Sequence, residues 1–85
     1  MKNYVEELQR EIEHWIEAWD LDDSEAFVVR DGPLHGVELL LGYDTTHERI
    51  IVWYNGGVIA WQLNCNYDAA LLAEFIVCAL TKLFG

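Results

Sequence analysis

The stretch Arg49–Asn64, RIIVWYNGGVIAWQLN, decides the fold. Asn55 and Gly56 separate two runs of β-branched and aromatic residues, and both tolerate the positive φ that a type I′ hairpin turn demands. A hairpin with one face in water alternates apolar with polar residues. Here almost every position is apolar, so both faces of the hairpin need a cover.

Pairing around Asn55-Gly56 sets Trp53 opposite Val58, Val52 opposite Ile59 and Ile50 opposite Trp61. Sliding the turn by one residue shifts the register by two positions and leaves the faces unchanged. Upstream, VELLLGY (37–43) reads as another strand, joined to the hairpin by DTTHE (44–48). A loop of two or four residues there puts Leu39, Leu41 and Tyr43 on the side of Ile50, Val52, Ile59, Trp61 and Leu63, the expected core side. The second side carries Leu40, Gly42, Ile51, Trp53, Val58 and Ala60, rimmed by Glu38, Arg49 and Gln62. Leu40, Ile51, Trp53, Val58 and Ala60 are therefore the candidate interface residues, because contiguous apolar patches beyond a few hundred Å² are rare on monomers.

Working outward, AFVVR (26–30) is a further short strand, ended by DGPLHG (31–36), whose Gly32 and Pro33 exclude regular structure. Before it, Val5, Leu8, Ile12, Trp15 and Trp19 recur at spacings of three and four, which predicts an amphipathic helix from Asn3 to about Asp20. After the hairpin, AALLAEFIVCALTKLF (69–84) predicts a second, mostly buried helix. Asn66 or Asp68 is placed to cap it, Lys82 complements its C-terminal dipole, and Leu72, Ala73, Ile76, Ala79, Leu80 and Leu83 lie in its apolar arc.

The expected fold is α+β, α-β-β-β-β-α: an N-terminal amphipathic helix, a three- to four-stranded antiparallel meander and a C-terminal apolar helix, in a single domain over residues 1–85. Three arrangements cover the second sheet face: one helix on each side, both helices on one side with the free faces of two copies meeting in a homodimer, or a face kept for another protein. A hydrophobic fraction of 53%, with four Trp, four Tyr and three Phe, supplies a core for a chain of this size.

Fifteen Asp and Glu against five Lys and Arg give a formal net charge of −10. Affinity for nucleic acid comes largely from cationic contacts with phosphate, so direct nucleic-acid binding is disfavoured, as are anionic membranes. A protein partner with a basic surface is favoured. The acidic candidates are Glu13, Glu17, Asp20, Asp22, Asp23 and Glu25, spread along the first helix and its following loop. The N-terminus has no apolar run of the signal-peptide or anchor type, and a cytoplasmic protein is expected, with Cys65 and Cys78 as free thiols and Cys78 buried.

Sites for chemistry are weak. Asp20, Asp22, Ser24 and Asp31 approach a calcium-loop spacing, but Glu25 stands where the sixth-position glycine is needed. Cys65 before a helix start, with His35 or His47, is a conceivable nucleophile pair that lacks any surrounding motif. His14, His35 and His47 lack zinc-ligand spacing, and no phosphate-binding loop is present. No cofactor, metal or catalytic residue is expected. By size and charge the chain has the gross character of small acidic inhibitors from phages and mobile elements, some of which imitate nucleic acid. The expectation is a non-enzymatic inhibitor or regulator that engages a basic surface. The alternative is an assembly protein that dimerises through the sheet's second face, and a small Cys65-dependent enzyme is the third reading.

Overall fold

The computed structural model of the protein describes residues 4–20 and 24–84. The order is α1 (Tyr4–Ala18), β1 (Glu25–Val28), β2 (Glu38–Asp44), β3 (Arg49–Tyr54), β4 (Gly57–Leu63), a 3₁₀ turn (Asn64–Asn66) and α2 (Ala69–Phe84). The four strands form one antiparallel sheet in the order β1-β2-β3-β4. The fold is α+β with the expected layout.

The local signals act where their chemistry requires. Asn55 and Gly56 both have positive φ, 52° and 83°, as a two-residue I′ turn demands. The β2–β3 loop has four residues, started by Asp44, whose Oδ1 accepts from the Thr46 and His47 amides and holds the chain in its turn. Asp68 caps α2 by accepting from the Ala70 and Leu71 amides at 3.0 and 3.2 Å. At the other end of the chain, Tyr4 secures the β1–β2 connection. Its hydroxyl donates to the Asp31 carbonyl and accepts from the Leu34 amide, and its ring occupies the space a β-carbon at Gly32 would need.

Both helices pack on one face of the sheet. A single core joins Leu8, Ile12 and Ile16 of α1, Leu72, Ile76 and Leu80 of α2, and Leu39, Leu41, Ile50, Val52 and Ala60 of the sheet. Trp15 against Phe27, with ring centroids 5.1 Å apart, places α1 over β1. Tyr54 against Phe84, at 5.6 Å, places α2 over the β3–β4 hairpin. The arrangement with one helix on each face is thereby excluded, and the far face of the sheet has no cover from either helix.

Several face assignments need correction. In α1 the buried row is Leu8, Ile12 and Ile16, continued by Trp19 just beyond the helix end, while Val5 is exposed. The stripe is rotated toward Ile16, because the helix meets α2 as well as the sheet. In α2, Leu83 and Cys78 are exposed, and Leu71, Phe75 and Phe84 join them. One side of that helix faces α1 and the sheet, and the rest of its wide apolar arc stays exposed among the described residues, with Phe84 keeping an edge contact to the Tyr54 ring.

The larger correction lies in β4. Trp53 faces Val58 as expected, but Val52 faces Ala60 and Ile51 faces Trp61. Ile59 is the extra residue of a β-bulge, so Ile59 and Ala60 together oppose Val52. Turn sliding preserves parity, whereas a one-residue bulge reverses it for everything downstream. Ala60, expected at the interface, is therefore buried in the core. Trp61 and Leu63, expected in the core, turn to the far face, and Gln62, expected at the rim, is buried.

Candidate interaction surfaces

The far face of the sheet is built from every second residue of its strands: Ala26 and Val28 of β1, Leu40 and Gly42 of β2, Ile51 and Trp53 of β3, and Val58, Trp61 and Leu63 of β4. Leu40, Val58, Trp61 and Leu63 are 47%, 53%, 48% and 41% exposed. Trp53 is half-buried, and Ile51, between Gly42 and Trp61, is buried although it takes no part in the helix-side core. Of the five interface candidates, Leu40, Ile51, Trp53 and Val58 share this face. Ala60 does not, and Trp61 and Leu63 take its place.

Charge on this face is confined to its margins. Glu38 lies at one edge, and Asp44 and Arg49 face each other at the opposite end of β2 and β3. Arg49 Nε donates to Asp44 Oδ2 at 3.1 Å, and its guanidinium lies 5.3 Å from the centre of the Trp61 ring, within cation–π range. His47 Nδ1 stands 2.8 Å from the same carboxylate oxygen. The His47 hydrogen bond, helped by that of Arg49 and opposed by partial burial, lowers the Asp44 pKa to about 2.

The acidic candidates lie elsewhere. Glu13 and Glu17 are on α1, in the helical layer, Asp20 is exposed just beyond it, and Glu25 is exposed at the start of β1. Asp22 and Asp23 lie outside the described residues. Tyr67 sits against the end of α1, and its pKa is raised by burial and by the negative charges of Glu17 and Asp68. Of the carboxylate candidates, Glu13 and Glu17 stand one turn apart on a rigid element, so their spacing is set by the helix itself.

No family model, curated protein or solved structure matches this chain. Its own geometry must carry the functional reading.

No group of three or more His, Cys, Asp or Glu among the described residues is placed to hold a metal. The stretch with calcium-loop spacing is interrupted by β1, which extends the chain where a cation loop would have to curl around its ion. Cys65 and Cys78 are exposed free thiols, one in the 3₁₀ turn and the other on α2. No helix among the described residues is long and apolar enough to cross a membrane.

Sequence reasoning missed two features of these surfaces. Trp61 and Leu63 belong to the apolar face because of the bulge, for which the sequence carries no glycine or proline marker at Ile59. The exposed row Leu71 and Phe75 on α2 was hidden because a helix apolar nearly all round does not reveal which part of it is covered.

Proposed function

We propose that this chain is a small acidic, non-enzymatic binding protein of the inhibitor or regulator type. It works as a homodimer joined through the far faces of its two sheets, with its acidic helical side engaging a basic surface on another protein. The observation that carries this reading is the far face of the sheet, where Leu40, Trp53, Val58, Trp61 and Leu63 form an apolar surface with charge only at its margins, while the acidic helix lies on the opposite layer, beside the exposed Leu71 and Phe75 of α2. Dimerisation through the sheet keeps the acidic helices apart, so the net charge of −10 opposes it least in that geometry.

The occupant of the far face is a second copy rather than a basic partner because the face offers little net charge to attract one. Asp44 and Arg49 already satisfy each other there. Twisted antiparallel sheets pack face to face about 10 Å apart, and a Trp near the centre of such a contact is a typical hot spot. Two exposed thiols suit a reducing, cytoplasmic compartment.

Sedimentation tests the reading directly. Wild-type protein should sediment as a dimer, and Trp61→Glu should yield a monomer with an unchanged far-UV spectrum, because Trp61 lies outside the core. A wild-type monomer at about 100 μM, far above the dissociation constant of an ordinary stable dimer, overturns the dimer. Separately, a protein captured from the host should be released by salt and lost on charge reversal of Glu13, Glu17 and Asp20, since exposed charges are screened. Salt-indifferent capture overturns the acidic docking.

A further inference from the structure

β1 is the outer strand of the sheet, and an open groove of about 670 Å³ runs along it. The groove is lined by Glu11 and His14 of α1, by Ala26, Phe27 and Val28 of β1, and by Arg30 and Asp31 beyond it. Its lining makes it a slot beside a sheet edge, with α1 as the second wall.

The backbone of β1 shows what that slot offers. The Val29 amide donates to the Val37 carbonyl at 2.9 Å and the Val29 carbonyl accepts from the Gly36 amide at 2.8 Å, so both backbone groups of Val29 face the chain that leads into β2. Antiparallel pairing alternates, so Phe27 and Glu25 direct their backbone groups toward β2, while Ala26 and Val28 direct theirs outward into the groove. An unused row of strand donors and acceptors is a template for another strand. The opposite edge of the sheet, β4, is disturbed by the bulge at Ile59 and is a poorer template.

Charge selects the occupant. The slot holds the carboxylates of Glu11 on its helix side and Asp31 at its end against one guanidinium, that of Arg30, with the His14 imidazole beside them; neither carboxylate has an ion-pair partner among the described residues. Glu25 lies at the start of β1 and points to the same side as Phe27. A second copy placed edge to edge would bring another chain of formal net charge −10 to these carboxylates. An extended cationic segment would instead meet them with every second side chain, since side chains alternate along a strand.

We propose that an extended, basic segment of a partner protein adds to β1 as a fifth strand, hydrogen-bonded to Ala26 and Val28 and held by Glu11, Glu25 and Asp31 on the helical side. The inference rests on the reading of an acidic surface that engages a basic protein, and gives that contact a place and a geometry.

The test uses a capped Lys-Val-Lys-Val-Lys-Val peptide, the same peptide N-methylated at alternate residues, and a Glu-Val counterpart. Amide hydrogen exchange and chemical shifts of the protein are followed at low salt. The cationic peptide should protect the Ala26 and Val28 amides, and N-methylation should weaken it at least about tenfold by removing the strand hydrogen bonds. Glu11→Lys should weaken it too, and the Glu-Val peptide should not bind. Ala26→Pro removes one outward N–H at an edge position where proline is tolerated, and should abolish protection at Val28. Should Ala26→Pro fail to fold, the N-methylated peptide still decides. Equal binding of both cationic peptides overturns strand addition and leaves the acidic surface reading intact. Absence of any binding overturns strand addition, while the salt and charge-reversal experiment judges the acidic reading on its own. Repeating the titration on Trp61→Glu separates the edge from the dimer, because β1 should bind equally in the monomer.

Discussion

Trp53 occupies the space that a side chain at Gly42 would need: a β-carbon built on Gly42 would stand 2.7 Å from Cζ3 of the Trp53 ring. Gly42 is thus the floor on which a large aromatic side chain lies, and the absence of its side chain is what leaves Trp53 half-buried rather than standing free of the sheet.

Gly42→Ala should therefore displace the Trp53 ring. Overpacking of this kind costs about 1–3 kcal/mol, and urea denaturation followed by Trp fluorescence should show the loss together with a red-shifted native spectrum. An unchanged midpoint and spectrum would mean that the ring does not rest on Gly42.

The bulge at Ile59 separates two residues that a regular hairpin would put on the same face. Ala60→Glu should unfold the domain, because it places an unpaired carboxylate among Val52 and the helices at a cost of several kcal/mol. Val58→Glu should keep the native far-UV spectrum and act only on self-association. If the two variants behaved alike, β4 would have no bulge.

Gln62 ties the sheet to the second helix. Buried in β4, it accepts the Asp68 amide at 3.1 Å, and Asp68 in turn caps α2. Gln62→Met keeps the volume but leaves that amide without its acceptor, a loss of about 1–3 kcal/mol. Asp68→Ala should cost about 1 kcal/mol. The two residues share a network, so the double variant should lose less than the sum, as thermal melts of the four proteins would show.

Asp44 makes stability depend on acid. Its pKa falls from 3.8 to about 2 in the folded protein, chiefly through the His47 hydrogen bond. A carboxylate depressed on folding contributes stability that is fully present above its unfolded pKa and is lost as pH falls through the folded value. The urea midpoint should drop between about pH 4 and about pH 2, and Asp44→Asn should flatten that limb of the curve. An equally steep limb in the variant would assign the acid sensitivity to other carboxylates.

The elements themselves were legible because each is set by neighbours in sequence. Asn55-Gly56 can make its turn wherever the hairpin lies, Asp68 caps the helix that begins one residue later, and the spacing of Leu8 and Ile12 marks a helix face. The acidic character of the surface is likewise a property of composition. Face assignments held as far as Trp53 and Val58 and then failed, because the parity of a strand is a running count that one unpaired residue resets.

What the amino-acid sequence determined by itself is the order and type of the elements, the turns between the central strands and the sign of the surface charge, all of which follow from local backbone preference and residue type. Tertiary structure alone decided that both helices share one face, that Ala60 and Gln62 go inward while Trp61 and Leu63 go outward, and that an edge strand borders a groove shared with Glu11 and His14 of α1. Those outcomes depend on how far-separated apolar faces compete for the same partners. The helices bury their faces against each other and one side of the sheet at once, and the far side, with Trp61 in place of Ala60, is left without cover from either helix.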